Sequence, residues 1–140
     1  MLMYLDTSVA VKLFIPEPDS TECELIVGGA GFISSDLLYG EMQAAALGKA
    51  RGGHLDVHSA ERAFERFEAA LAEGNIHLIK LDGLLVREAA EVMRQVYPLA
   101  LRPLDAIHLA TYLSVDAGPL FTRDRRMREA AAKLGIPLAG

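Results

Sequence analysis

Asp6, Glu41, Asp105 and Asp124 stand apart from the chain's other carboxylates. Each lies at, or within about two turns of, a helix-start signal, and each is flanked by apolar sequence. Asp105 is the hardest to explain as an ordinary surface acid, because Ala106, Ile107, Leu109 and Ala110 surround it. Taken singly the others have plain readings: Asp6 and Asp124 as helix caps, Glu41 as an exposed helix residue. Together they would repel one another and resist ionising, and a divalent cation removes that penalty. Oxygen-only donors select a hard ion, so Mg²⁺ or Mn²⁺ is expected rather than Zn²⁺. His54, His58, His77 and His108 lack zinc-ligand spacing, and Cys23 is alone. Such an ion activates water for attack on phosphorus and stabilises the charge that develops, so no nucleophilic side chain is required.

Other chemistries find no support. No Walker-type phosphate loop or G-x-G-x-x-G is present, and Gly28-Gly29-Ala30-Gly31 follows a helix and reads as a turn. Ser8 lacks the context of a nucleophile elbow. His108, three positions after Asp105, reads as a packing or hydrogen-bonding residue, because a metal-activated water leaves it no necessary role.

The elements that position these acids alternate in type. Met1–Leu5 reads as a buried strand, followed by a short helix over Val9–Ile15 that Pro16 and Pro18 end. Asp19-Ser20 is a capping signal for a helix running to Gly28-Gly29, and Gly31–Ser34 is a brief strand. Ser35 or Asp36 caps a helix through Glu41, which Gly52-Gly53 breaks. Leu55–Glu73 is a long amphipathic helix with Ala60, Phe64, Phe67 and Leu71 as its apolar face. Ile76–Leu81 is a strand, and Asp82 caps a helix that ends before Pro98. The stretch Leu101–Leu113 is helical, with Leu104, Ile107, Ala110 and Leu113 expected as one buried stripe. Leu120–Thr122 is a strand, Asp124 starts the last helix, and Gly135–Leu138 is a candidate edge strand. Strands separated by helices imply a mainly parallel sheet covered on both faces. Ligands of such sheets bind outside the carboxyl ends of the strands, where Asp6 and Asp124 fall.

The 140 residues are expected to form one domain, 1–140, with enough core to fold without a disulfide or structural metal. With 14 Lys and Arg against 19 Asp and Glu, the net charge of −5 argues against binding polyanions by bulk charge. The charge is uneven, however: Arg123, Arg125, Arg126, Arg128 and Lys133 cluster around Asp124 and Glu129. That run is either a solvated helix face or a basic edge for phosphates. The lone Cys23 favours a reducing compartment, and no apolar run is long enough to span a membrane. The first residues reach Asp6 with no basic segment before it, unlike a secretion signal. A cytoplasmic protein is expected.

Tyr4-Leu5-Asp6-Thr7-Ser8, Glu41 on the third helix, Arg102-Pro103-Leu104-Asp105-Ala106-Ile107-His108-Leu109-Ala110-Thr111 and Leu120-Phe121-Thr122-Arg123-Asp124 occur in a distinctive order and spacing. In this the chain resembles PIN-domain nucleases, and among them the VapC-type ribonuclease toxins of toxin–antitoxin modules, over nearly its whole length. The resemblance implies a three-layer α/β/α fold with a small parallel sheet. It implies Mg²⁺- or Mn²⁺-dependent cleavage of RNA, with tRNA among the candidate targets, inhibition by a cognate antitoxin protein, and a homodimer or a larger complex with the antitoxin. Asp6, Glu41, Asp105 and Asp124 match the family's catalytic acids, with Asp6, Asp105 and Asp124 as metal ligands. Ser8 and Thr122 match its supporting hydroxyls.

Two departures matter. Pro103 replaces a small polar residue found in many relatives, although Pro suits a first helical position. Arg125 and Arg126 follow Asp124 where some relatives add another acid, so one well-held ion is expected rather than two. These arginines, with Lys12, Arg102 and Arg123, are candidates for contacting RNA phosphates. Two alternatives stay open. One is a Mg²⁺-dependent phosphatase or receiver-like phosphorylation domain, which lacks here the usual early acid pair and late lysine. The other is an idle PIN-like binding module, whose signature would be loss of the acids.

Overall fold

The computed structural model describes residues 1–140. Four short strands, β1 (Met3–Leu5), β2 (Phe32–Ser35), β3 (Ile76–Ile79) and β4 (Leu120–Phe121), form one sheet in the order β3-β2-β1-β4. All pairings are parallel, with Tyr4 opposite Ile33 on one side and Leu120 on the other. The chain moves outward from β1 to β2 and β3, then returns to the far side of β1 for β4. The crevice between the ends of β1 and β4 is therefore a topological switch point, where parallel sheets place ligands.

Seven helices cover the sheet: α1 (Thr7–Ala10, continuing as a 3₁₀ turn over Val11–Leu13), α2 (Ser20–Val27), α3 (Leu37–Arg51), α4 (Val57–Ala72), α5 (Gly83–Val96), α6 (Pro103–Ser114) and α7 (Arg125–Lys133). Strand side chains alternate between faces, and the core divides accordingly. Tyr4 and Leu120 join Ala89, Val92, Leu109, Ala110, Met127 and Ala130 in a cluster under α5, α6 and α7. Leu5, Phe32 and Phe121 join Val9, Leu38, Met42, Phe64 and Phe67 under α1 to α4. The result is the expected three-layer α/β/α arrangement. No helix is long and apolar enough to cross a membrane.

Aspartate begins four of the helices, three of them (at Asp6, Asp82 and Asp124) as the sequence signals and the fourth at Asp56, which the sequence reading places inside its helix. Asp6, Asp56, Asp82 and Asp124 each accept a hydrogen bond from the backbone N–H three residues on. At α3, of the two candidate caps, Ser35 Oγ accepts from the Leu37 N–H while Asp36 makes no capping bond. Asp19 occupies the N-cap position of α2 without capping it, because its carboxylate is taken by Lys12 at 2.8 Å. Strand β3 ends at Ile79, two residues before the sequence reading, and the C-terminal strand is reduced to a single bridge between Leu138 and Leu120.

One expectation is overturned. The three-residue stripe on α6 predicts Leu104 and Leu113 in the core, yet they are 48% and 51% exposed. The buried part is instead the unbroken run Ala106–Tyr112. The middle of α6 lies between the sheet and its neighbouring helices and is enclosed all round, while its ends project beyond them. Periodicity cannot show this, because a helix buried on every side has no apolar face. Accordingly, Leu109→Ala should destabilise the protein by about 2–5 kcal/mol in urea denaturation, whereas Leu113→Ala should stay within about 0.5 kcal/mol of wild type.

Candidate active site

The carboxylate of Asp6 stands at the end of the central strand β1 and is 3% exposed. Ser8 Oγ donates to its Oδ1 at 2.7 Å and Thr122 Oγ1 donates to its Oδ2 at 2.6 Å. Each hydroxyl then accepts a backbone N–H from the turn after β4: Ser8 from Arg123 at 2.9 Å, Thr122 from Asp124 at 3.0 Å. A hydroxyl has one proton and spare lone pairs, so both roles are filled at once. Burial pushes the Asp6 carboxyl upward, and the hydrogen bonds from Ser8 and Thr122 offset this only in part.

Asp124 follows in the same turn. Its Oδ1 caps α7 through the Met127 N–H at 2.9 Å, and its Oδ2 receives Arg102 Nη2 at 3.1 Å. The same guanidinium donates from Nε to Asp105 Oδ2 at 2.8 Å. Arg102 precedes α6 and Asp105 lies in its first turn, so the cation bridges two acids from separate parts of the chain. The carboxylate of Asp105 is thus met by a cation from its own chain.

Glu41, on α3, faces α6. Its Oε1 accepts from Thr7 Oγ1 at 2.7 Å and lies 3.1 Å from His108 Nε2. Burial raises this carboxyl, but the hydrogen bonds from His108 and Thr7 outweigh it and hold the group below its ordinary value. Glu41, Arg102 and Asp105 line one cleft, and Arg102, Asp124, Arg125 and Arg126 line an adjoining one. The four acids therefore occupy one edge of the molecule at the carboxyl ends of β1 and β4.

Donor type and charge in this cluster suit a hard divalent cation, and a guanidinium already lies between Asp105 and Asp124. Spacing suits it only in part: with Arg102 in that position, no three of the acids close around one point.

The basic candidates divide. Lys12 is held by Asp19 and Glu17, at 2.8 and 3.3 Å. Arg123 stacks over the Phe121 ring and lies 3.4 Å from Asp19 and 3.1 Å from Glu22, although its buried Nε and Nη2 make no aligned hydrogen bond. Arg125 and Arg126 are exposed, the former with a partner in Glu129. Sequence reading missed Thr7 and His108 as contacts of Glu41. Thr7 enters the sequence reading only as part of the motif Tyr4-Leu5-Asp6-Thr7-Ser8, and nothing in a linear sequence pairs position 108 with position 41.

Because the folded value of Asp6 is raised, protonating this group favours the fold. That contribution is complete below the ordinary carboxylate range and is lost as pH rises through the folded value. Asp6→Asn removes the loss. In metal-free buffer the melting temperature of the variant relative to wild type should therefore rise from pH 4 to pH 7.5, as followed by thermal denaturation across pH.

Comparison with known proteins identifies the family and supports the fold. The PIN domain family model matches residues 3–133. The chain is 37% identical over 137 residues to Ribonuclease VapC46 of Mycobacterium tuberculosis (strain ATCC 25618 / H37Rv), covering 96% of this chain and 93% of that protein. It is 33% identical over 144 residues to Ribonuclease VapC45 of Mycobacterium tuberculosis (strain CDC 1551 / Oshkosh), covering 99% and 94%. The crystal structure of Mycobacterium tuberculosis VapC20, described as a sarcin-ricin loop cleaving toxin, superposes with a TM-score of 0.68 at 15% identity, over 91% of this chain and 94% of that one, and supports the fold. With its parallel sheet and its acids at the carboxyl edge, the chain belongs to the PIN-domain family.

Proposed function

We propose that this chain is a metal-dependent endoribonuclease, the toxin of a type II toxin–antitoxin pair, acting as a single domain in the cytoplasm. The observation that carries the reading is the convergence of Asp6, Glu41, Asp105 and Asp124 on the crevice beside β1 and β4. Two relatives at 33–37% identity named as ribonucleases support the substrate class.

Asp6, Asp105 and Asp124 would hold the ion, which is Mg²⁺ or Mn²⁺ on the chemistry of an oxygen-only donor set. When bound, such an ion supplies the charge that offsets the carboxylates and the Lewis acidity that phosphodiester hydrolysis needs. Ser8 and Thr122 keep Asp6 oriented by giving it their protons. Glu41, partly exposed on the cleft wall, is the acid placed to orient the attacking water. Arg125 and Arg126 stand on the rim beside Asp124, where RNA phosphates would pass; Arg102, Lys12 and Arg123 could join only by leaving their present acid partners.

A groove near the first helices, lined by Phe14, Pro16, Leu55 and Ala63 with Arg62 and Arg66, is the support for docking of an antitoxin segment. Leu113, half exposed beside Glu88, Glu91 and Gln95, is the apolar residue on that face which a second copy would cover in a homodimer.

Asp105→Asn and Asp124→Asn should reduce cleavage of a structured RNA to background with Mg²⁺ or Mn²⁺ present, while circular dichroism stays as wild type. Retention of full activity in either variant refutes the assignment. Arg102 competes for the same oxygens. Arg102→Ala should therefore tighten Mn²⁺ binding in calorimetry by about two- to thirtyfold, the size expected when two exposed ion pairs worth roughly 0.2–1 kcal/mol each no longer compete.

A further inference from the structure

His108 is 2% exposed, in the enclosed middle of α6, and both of its ring nitrogens are engaged. Nδ1 lies 2.9 Å from the Tyr4 hydroxyl. Nε2 lies 3.1 Å from Glu41 Oε1 and 3.2 Å from Thr7 Oγ1. A chain of polar contacts therefore runs from the core face of β1, through the imidazole, to a carboxylate on the cleft wall.

The protons in this chain can be placed. Tyr4 is fully buried, where its phenol is a neutral O–H donor. The aligned acceptor for that proton is His108 Nδ1. With Nδ1 accepting, the ring proton sits on Nε2 and points at Glu41 Oε1, with Thr7 Oγ1 as a second acceptor. Thr7 spends its own proton on the same Oε1 at 2.7 Å, which leaves its oxygen free to accept. The opposite tautomer would turn the Tyr4 proton from the aligned His108 to the neighbouring Thr111 or Ser34 hydroxyl and, at greater cost, set a bare Nε2 against a carboxylate oxygen.

We infer that His108 is a positioning residue for Glu41: its Nε2–H, with its tautomer set by Tyr4, pins Oε1 of Glu41 and leaves Oε2 as the oxygen offered to the cleft. Oε2 receives no donor from the protein, whereas Oε1 lies within reach of two. A carboxylate tied at one oxygen has lost most of its rotational freedom before substrate arrives, as acid–base work demands. This inference rests on the nuclease reading for its consequence, but not for its geometry.

The variants His108→Gln and His108→Asn separate positioning from packing. Both are polar, but the Gln amide reaches the place of Nε2 and the Asn amide only that of Nδ1. With wild-type RNA cleavage as reference, Asn should lower kcat by about tenfold or more with KM unchanged, and Gln should retain most of kcat. Tyr4→Phe should fall between them. Equal losses in Gln and Asn, or full kcat in Asn, overturn the inference.

A second readout needs no cleavage. Long-range ¹H–¹⁵N spectra of the metal-free protein should show His108 protonated at Nε2 and bare at Nδ1, and Glu41→Gln should move the Nε2–H resonance. A proton on Nδ1, or an unmoved resonance, overturns the inference. Failure of the wild type to cleave any RNA would count against the nuclease reading, while the spectra would still decide whether His108 holds Glu41.

Discussion

The Asp6 carboxylate accepts a hydrogen bond from Ser8 and another from Thr122, each the only O–H that side chain has to donate. Thr122 lies 116 positions away in the chain, and both hydroxyls also hold the backbone of the turn after β4. A single buried charge thus fastens the start of the chain to its last helix. Without these partners an ionised group at this depth would cost several kcal/mol. The parallel pairing of β1 with β4 brings the partners there. Removing either hydroxyl would disturb more than Asp6, because the placement of Asp124 depends on the same two oxygens.

The other acids are managed differently, and the difference follows from exposure. Asp105 and Asp124 lie nearer the surface and share the guanidinium of Arg102, itself largely exposed. Such pairs are weak and screened by salt, so they exchange readily for another cation. Glu41 is held instead by Thr7 and by the buried His108, partners from the protein's own packed elements. One edge of the sheet therefore combines a rigid acid, an anchored acid and an exchangeable pair.

Helix starts were legible because aspartate caps act locally, through a backbone N–H three residues away. The layer order was legible too, since strands separated by helices leave few topologies. Where reading failed, a distant partner had intervened. Asp19 left its cap for Lys12, and α6 lost its stripe because neighbours enclose it on all sides. His108 reads as a packing or hydrogen-bonding residue and is both, but its partners, 67 and 104 positions away, are out of reach of any local pattern.

By itself the sequence determined the element order, the three-layer class and the family, together with the identity of four acids. All of these rest on short-range pattern: capping, alternation, and motif spacing along the chain. Tertiary structure alone decided which oxygen of each acid is occupied, that Arg102 bridges Asp105 and Asp124, and that Tyr4, His108 and Thr7 converge on Glu41. Hydrogen bonds act over about 3 Å, and which atoms come that close across a sheet is set by strand order and helix packing. Neither leaves a mark on residues so far apart in one chain.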